Sequence, residues 1–338
     1  MTFEEISVKV QKQRDFFATG ATLDVKYRID ALKKLRHAII NNKEKIAAAI
    51  KSDLGKSGDE SFMCEIGLVI SEISYMIKHT KKFAKDKTVA TPITNFLSHS
   101  FVKSSPYGNV LIMSPWNYPF LLTLDPLADA IAAGNTAIVK PSAYSPETSK
   151  VIAEMISSCF NEEYVAVITG GRAENMSLLD CKFDSIFFTG SKDVGKLVME
   201  KASKNLTPVT LELGGKSPCI VHKDADIALS ARRIVFGKYL NCGQTCVAPD
   251  YILCHKDVKD KFIECVKKEI VRQYGQTPLT NQAYGKIVNK KHFDRIRSLI
   301  DKNKVVHGGK SDENLLKKLG VNITYEPYYQ TKTLYHKK

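Results

Sequence analysis

The sequence predicts an α/β fold in which a parallel sheet carries helices on both faces. Two observations predict it. Between residues 109 and 202, short apolar runs of strand length alternate strictly with helical segments, and the connections between them are short. Such alternation is typical of βαβ units, which build parallel sheets. The chain of 338 residues is also 43% hydrophobic, which is enough to bury a sizeable core.

The first 88 residues are predicted to be helical and to serve packing. From Lys26 to Lys51 apolar residues recur at three-, four- and seven-residue intervals, as on one face of a helix. Gly55 and Gly58 interrupt this pattern. A second helix follows, with one apolar face made by Phe62, Ile66, Val69, Ile73 and Ile77.

The alternating region comes next, and its elements follow one another directly. The predicted strands are Asn109–Met113, Thr136–Val139, Val165–Thr169 and Ser185–Phe188. The predicted helices are Leu121–Ala133, Pro146–Cys159, Glu174–Leu179 and Lys192–Ala202. Ligands of parallel sheets bind beyond the carboxyl ends of the strands. Residues that directly follow these strands are therefore the first candidates for a functional site.

A second α/β stretch is predicted from Val209 onward. Its predicted strands are Val209–Leu213, Cys219–Val221 and Tyr251–Cys254. Its predicted helices are Asp226–Leu240, Val258–Tyr274 and Asn289–Lys302. From Val321 the sequence VNITYEPYYQTKTLYHKK has no strand or helix period of useful length.

Composition excludes several classes of function. The net charge is +14, but the lysines are spread along the chain, so we expect no nucleic-acid partner. No apolar run reaches the length of about 18 residues that a membrane-spanning helix needs. The N-terminus carries Glu4 and Glu5 and lacks an apolar core, so no secretory signal is expected. Eight cysteines favour reduced thiols and a cytoplasmic location, and no histidine pair has the spacing of metal ligands.

A cysteine lies in a glycine-containing loop between a predicted helix and a predicted strand. The sequence of this loop, from Asn241 to Pro249, is NCGQTCVAP. If the pKa of the Cys246 thiol is lowered, the thiolate is a nucleophile. The alternative is that Cys246 is a small buried hydrophobic residue.

A carboxylate lies at the end of the predicted strand in LELGGKSP, the sequence from Leu211 to Pro218. Because Glu212 is flanked by two leucines, we expect partial desolvation, which raises its pKa toward that of a general base. The alternative is a surface glutamate on an edge strand. A third motif, SPWNYP, follows the first strand, and its Asn117 could donate an amide hydrogen bond to an oxyanion. Asn117 could equally be a turn residue.

Two further strand ends carry polar groups. FFTGSKDVG, from Phe187 to Gly195, joins a strand to a helix, and the N–H groups at the helix start suit a pyrophosphate. This is not the three-glycine dinucleotide motif, so alone it is a weak signal. Lys140, in the sequence VKPS, places a cation beside the same crevice.

Taken together, these five segments resemble the aldehyde dehydrogenase superfamily, most closely its class 3 branch, because FFTGS, LELGGKSP and the GQTC loop occur in the family's order and spacing. The resemblance covers roughly residues 1–317 and implies that Cys246 is the nucleophile and Glu212 the general base. Asn117 and the Cys246 backbone N–H would form the oxyanion hole. The nucleophile is favoured at Cys246 over Cys242, which does not follow the Gly-Gln-Thr turn.

The resemblance also implies how the cofactor is bound. Lys140 corresponds to the residue that contacts the adenosine ribose, Gly190, Ser191 and Gly195 to the turn that holds the pyrophosphate, and Gly214 to the loop near the nicotinamide. Many family members have a glutamate three residues after the lysine, where this chain has Ala143. Loss of that carboxylate removes a repulsion against a 2′-phosphate, so either NAD or NADP is expected as cofactor.

The implied architecture is an aldehyde dehydrogenase-like fold. We expect N-terminal helices with an NAD(P)-binding domain over residues 1–208, an incomplete catalytic domain over 209–318 and an atypical tail over 319–338. The family's Glu-x-Phe-Gly-Pro segment has no counterpart here, and Glu326-Pro327 is no match. We therefore expect a C-terminally truncated chain with little dehydrogenase activity, as a reading-frame slip or a pseudogene product would have.

The resemblance implies oxidation of an aldehyde to a carboxylic acid through a thiohemiacetal and a thioester on the cysteine. The partner expected is a small aldehyde, with a homodimer for the complete family form. Two alternatives remain: an acylating enzyme that passes the thioester to another acceptor, and an inactive nucleotide-binding remnant. Glu212 argues against the first, because a deacylating base is unnecessary when a thiol takes the acyl group.

Overall fold

The structure is a computed structural model, and it describes residues 1–318. The predicted atypical tail, residues 319–338, lies outside the described residues. The chain begins with helices α1 (Phe3–Ala18), α2 (Val25–Leu54), α3 (Gly58–Ser61) and α4 (Gly67–Phe83). A π-helical turn, Phe62–Ile66, joins α3 to α4. The helical N-terminal region predicted from the apolar spacing is thus confirmed.

Two short strands that the sequence analysis missed follow α4. They are β1 (Lys87–Thr88) and β2 (Phe101–Val102), which pair antiparallel. With two residues each, they are too short for an alternating pattern to show in the sequence.

A five-stranded sheet forms the centre of the fold. Its strands are β3 (Asn109–Met113), β4 (Thr136–Lys140), β5 (Val165–Val167), β6 (Ser185–Thr189) and β7 (Val209–Glu212). The spatial order is β5-β4-β3-β6-β7, and every neighbouring pair is parallel. The predicted parallel sheet is therefore confirmed. The strand that the sequence analysis assigned to the second stretch, β7, instead pairs with β6 at the edge of this sheet.

Helices connect the strands and cover both faces. They are α5 (Leu121–Ala133), α6 (Pro146–Cys159), α7 (Arg172–Asp180) and α8 (Lys192–Ser203). Successive residues of β3 point to opposite faces, as strand geometry requires. Val110 and Ile112 belong to a core cluster with residues of α2, α4, α5 and α6, whereas Leu111 and Met113 belong to a second cluster with residues of α1, α7 and α8.

The remaining elements are smaller. Strands β8 (Ser217–Val221) and β9 (Pro249–Cys254) form a two-stranded sheet, and β10 (Ser311–Asp312) pairs with β11 (Lys317–Lys318). The helices are α9 (Ile227–Tyr239), α10 (Lys259–Tyr274) and α11 (Lys290–Ser298). The last helix is shorter than predicted, because the Asp301 carboxylate accepts a hydrogen bond from the Asn303 N–H at 3.0 Å and starts a separate short turn.

The residues group into two compact units. The first comprises Met1–Pro218 together with Gln244–Tyr251, and the second comprises Cys219–Gly243 and the described residues from Ile252 onward. The second unit has its own core, in which α9 and α10 bury residues such as Ala231, Val235 and Phe262. The functional domain boundary at residues 208 and 209 stays a prediction. Among the helices between residues 1 and 318, none is both long and apolar enough to cross a lipid bilayer.

Candidate active site

The order of the strands determines where a ligand can bind. Chain order reverses between β3 and β6, because β4 and β5 extend the sheet in one direction while β6 and β7 extend it in the other. In open parallel sheets the crevice at such a reversal, beyond the carboxyl ends of the strands, is the binding site. The loop after β3 contains Asn117, and the loop after β6 contains Gly190 and Ser191.

Asn117 lies next to the turn that contains Cys246. Its side-chain Nδ2 donates a hydrogen bond of 2.9 Å to the carbonyl oxygen of Gln244. One residue further on, the hydroxyl groups of Tyr118 and Thr245 are hydrogen-bonded, with 2.6 Å between their oxygens. The two segments are 127 residues apart in the sequence. The structure therefore brings the predicted oxyanion donor and the predicted nucleophile turn together.

Cys246 is exposed and lies in a turn directly before β9. The backbone enters this turn through Asn241, Cys242 and Gly243, all three of which have positive φ values. Asparagine tolerates this conformation, whereas it is uncommon for cysteine. Exposure rules out the alternative that Cys246 is a buried hydrophobic residue.

The loop after β7 touches the same turn. A Cβ atom placed on Gly215 would lie 2.4 Å from the carbonyl oxygen of Cys246, so only glycine fits there. By contrast, a Cβ on Gly214 would meet nothing within 4 Å. Gly214 was predicted from the sequence as a site residue and Gly215 was not, although a pair of glycines is a signal of close backbone approach.

Glu212 is the last residue of β7, and its side chain is exposed. The expectation that its two leucine neighbours desolvate it is wrong. Side chains alternate along a strand, so Leu211 and Leu213 pack against the core cluster beneath while Glu212 points the other way. The carboxylate is accessible to water, which a base that activates water requires.

The turn between β6 and α8 is linked to the end of β7, caps α8 and allows α8 to pack closely on the β7 segment. The Gly190 N–H donates to the carbonyl oxygen of Glu212 at 2.9 Å, which joins this turn to the end of β7. Ser191 caps α8, because its Oγ accepts a hydrogen bond from the Val194 N–H at 3.4 Å. A Cβ on Gly195 would lie 2.9 Å from the Cδ2 of Leu213, so this glycine lets α8 pack closely on the β7 segment.

Lys140 ends β4 and is buried, with 3% of its surface exposed. Its Nζ donates to the carbonyl oxygens of Pro141 and Gly170, both at 2.8 Å. Burial lowers the pKa of Lys140 to about 8, an effect that the nearby charge of Glu174 partly opposes. Ala143, three residues further on, is exposed.

The sequence analysis also missed Tyr118 and Thr245, because a hydrogen bond between residues 127 positions apart leaves no local pattern. Burial raises the pKa of Tyr118, so the phenol keeps its proton. Within residues 1–318 the histidine, cysteine and acidic side chains form no cluster of three that could hold a metal ion.

The sequence profile of the aldehyde dehydrogenase family matches residues 1–327 of this chain. The match extends ten residues beyond Lys317, where the sequence analysis placed the departure from the family. It includes Glu326-Pro327, which does not match the family's Glu-x-Phe-Gly-Pro segment.

Individual relatives agree with this match. The 4,4′-diaponeurosporen-aldehyde dehydrogenase of Staphylococcus aureus is 46% identical over 91% of this chain and 68% of that protein. The mouse aldehyde dehydrogenase family 3 member B3 is 44% identical over 92% of this chain and 64% of that protein. A solved structure of Staphylococcus aureus AldH in a substrate-bound state has a TM-score of 0.91 and 45% identity, covering 93% of this chain and 69% of that one. The chain thus spans about two thirds of the length of these proteins.

Proposed function

This chain belongs to the aldehyde dehydrogenase family and has its α/β fold, and from that premise we propose that it carries the site at which an aldehyde is oxidised to a carboxylic acid. One observation carries the proposal: Asn117 is hydrogen-bonded to the turn that presents Cys246. A nucleophile beside a fixed amide donor is the arrangement that acyl chemistry at a carbonyl carbon requires.

The first step is attack by the Cys246 thiolate on the aldehyde carbon. A carbon–sulfur bond forms, and the carbonyl oxygen becomes the oxyanion of a thiohemiacetal. The Asn117 amide and the Cys246 backbone N–H stabilise this oxyanion by hydrogen bonds. The contact with Gln244 holds the Asn117 side chain beside the Cys246 turn before substrate arrives.

Collapse of the oxyanion expels a hydride and leaves a thioester on Cys246. A nicotinamide, when bound, supplies the hydride acceptor. Glu212 then takes a proton from a water molecule, which attacks the thioester carbon. The carbon–sulfur bond breaks, the carboxylic acid leaves and the Cys246 thiolate is restored. The exposed position of Glu212 supports this role, because water reaches its carboxylate.

The residues after β4 and β6 suit the cofactor. The first N–H groups of a helix have no partner within it and attract phosphate. Helix α8 begins directly after Ser191, so the pyrophosphate would lie at this helix start, near Gly190 and the closely packed Gly195. Lys140 would contact the adenosine ribose, and Gly214 would lie near the nicotinamide. Because Ala143 offers no carboxylate, we propose that NADP is accepted as well as NAD.

We further propose an aldehyde as the small-molecule partner, a homodimer for the complete family form and a cytoplasmic location. The location is supported by the cysteines: all eight lie within residues 1–318, and none forms a disulfide.

The test is an assay of the purified chain with NAD and with NADP against short, long and aromatic aldehydes. Wherever the chain turns over an aldehyde, NADH or NADPH should form together with one equivalent of free acid, and the measured rate tests the low activity expected from the sequence. Acyl-coenzyme A as the product when coenzyme A is supplied would instead identify an acylating enzyme. Nucleotide binding without turnover of any aldehyde would identify an inactive remnant.

A further inference from the structure

A buried ion pair lies directly behind the loop that contains Asn117. Lys56 follows the end of α2, and Glu65 belongs to the π-helical turn before α4. The Lys56 Nζ is 2.6 Å from a Glu65 carboxylate oxygen, and neither side chain has any exposed surface. Removing two charges from water is costly, and their mutual attraction returns only part of that cost. Such a pair therefore contributes little to the free energy of unfolding, but its hydrogen bonds fix the positions of the groups around it.

Both charges hold the loop after β3. The Lys56 Nζ also donates to the Asn117 carbonyl oxygen at 3.0 Å and lies 4.0 Å from the centre of the Tyr118 ring. The second oxygen of Glu65 accepts from the backbone N–H groups of Phe120 and Leu121, at 2.8 and 3.2 Å. The pair therefore contacts four of the five consecutive residues from 117 to 121.

The contacts of Glu65 with Phe120 and Leu121 also provide hydrogen-bond acceptors for N–H groups at the start of helix α5. The first N–H groups of a helix need partners from outside it. Phe120 lies at the start of α5, and its phenyl side chain has no acceptor atom with which to cap the helix. The Glu65 carboxylate supplies the acceptor from another helix, and a negative charge at this end suits the helix dipole.

Glu65 lies within the π-helical turn. In it the Gly67 N–H bonds to the Phe62 carbonyl oxygen, five residues earlier. A Cβ on Gly67 would lie 2.8 Å from that oxygen, so the turn requires glycine. π-Helical turns are rare and are frequent at functional sites. The buried carboxylate that contacts the loop after β3 therefore belongs to an irregular helical turn.

We propose that Lys56 and Glu65 are positioning residues that set the backbone of residues 117–121 and thereby place the Asn117 amide and the Cys246 turn for reaction. This inference rests on the proposed function. The connection to Cys246 passes through two hydrogen bonds already described, from Asn117 to Gln244 and between Tyr118 and Thr245. Neither charged side chain touches the substrate in this account.

The test compares three variants in the full chain. Lys56→Met combined with Glu65→Leu removes both charges at similar side-chain volume, so that no single buried charge is left unpaired. Glu65→Gln keeps the shape and removes the charge, and serves if the double variant fails to fold. Arg28→Met is the matched control. Arg28 is a buried cation that donates a hydrogen bond to the Ala132 carbonyl oxygen, near the C-terminal end of α5.

Three measurements are made on each variant: amide hydrogen exchange at Phe120 and Leu121, the rate of Cys246 alkylation by iodoacetamide, and kcat and KM for an aldehyde. We expect the charge-removing variants to exchange these amides at least about tenfold faster and to change the alkylation rate. We expect kcat to fall by about tenfold to a hundredfold with KM nearly unchanged, because misplacement of a reactive group by about 1 Å has effects of this size. The control should leave all three measurements within about twofold of the wild type.

Wild-type values of all three measurements in a charge-removing variant would overturn the proposal, as would an equal loss of kcat in the control. If the wild-type chain oxidises no aldehyde, the proposed function fails, but amide exchange and alkylation still decide the inference. Unchanged exchange and alkylation would then reject it, and faster exchange together with altered alkylation would support it.

Discussion

At the scale of single residues, Cys246 is the proposed nucleophile. We expect Cys246→Ser to reduce aldehyde oxidation below about one per cent of the wild type, because a serine hydroxyl is a far weaker nucleophile than a thiolate. Nucleotide binding should survive, since the proposed cofactor contacts lie after other strands. The measurement combines a nicotinamide absorbance assay with calorimetric titration of the nucleotide. Cys242→Ser is the matched control and should keep most activity; equal loss in both variants would reject the assignment.

Glu212 acts, in this account, only after the hydride has left. Glu212→Gln should therefore give a rapid burst of about one equivalent of reduced nicotinamide followed by slow turnover, because acylation proceeds and hydrolysis of the thioester stalls. Stopped-flow absorbance separates the two phases. A variant without the burst would show that Glu212 is needed before hydride transfer.

Because the pKa of Lys140 is lowered, we expect nucleotide binding to depend on pH. Burial lowers its pKa to about 8, so the side chain is a cation below that pH and neutral above it. A neutral amine no longer attracts an anionic nucleotide, and affinity should fall as pH rises from about 7 to about 9. Lys140→Arg keeps its charge over this range and should remove the dependence. Titration of nucleotide at several pH values tests this; equal slopes in both proteins would contradict it.

These residues differ in how visible they were in the sequence. Asn117 and Ser191 follow strands and Glu212 ends one. Because parallel strands bring their carboxyl ends to one edge, a local pattern was enough to group these three residues. The hydrogen bond between Tyr118 and Thr245 and the contacts of Glu65 with Phe120 and Leu121 join distant segments. Such contacts depend on how helices pack on the sheet, which no local pattern encodes.

At the scale of elements, Gly214 and Gly215 after β7 can be compared directly, because only Gly215 approaches the Cys246 backbone. We expect Gly215→Ala to lower the free energy of unfolding by about 1–3 kcal/mol and to alter the alkylation rate of Cys246, because the new Cβ would overlap the Cys246 backbone. Gly214→Ala meets open space and should leave stability within about 0.5 kcal/mol of the wild type. Denaturant unfolding and thiol labelling measure both. Equal stability of the two variants would mean that the β7 loop does not contact the nucleophile turn.

The elements themselves were largely predictable. Helix α5 has the predicted bounds, as do β3 and α6, because apolar periodicity and the glycine at Gly134 mark their ends. Strand β7 was predicted near its true position but was placed in the second α/β stretch, whereas it pairs with β6 in the central sheet. Which strands pair is set by packing over the whole sheet, and the sequence pattern of one strand does not contain it.

At the scale of the whole molecule, the first unit contains every residue of the proposed site, since Asn117, Lys140, Ser191 and Glu212 lie before Pro218 and Cys246 lies within Gln244–Tyr251. The proposed nucleophile, oxyanion donor, base and phosphate-binding turn thus share one compact unit. The chain spans about two thirds of the length of its relatives.

In the proposed reaction an aldehyde becomes a thioester on Cys246. The most direct measurement is peptide mass spectrometry of the Glu212→Gln variant after incubation with an aldehyde and with NAD or NADP, since this variant should retain the intermediate. We predict an adduct on Cys246 with the mass of the aldehyde less two hydrogens, present only when the nucleotide is supplied. Reduced nucleotide formed without that adduct, or an adduct on Cys242 instead, would contradict it.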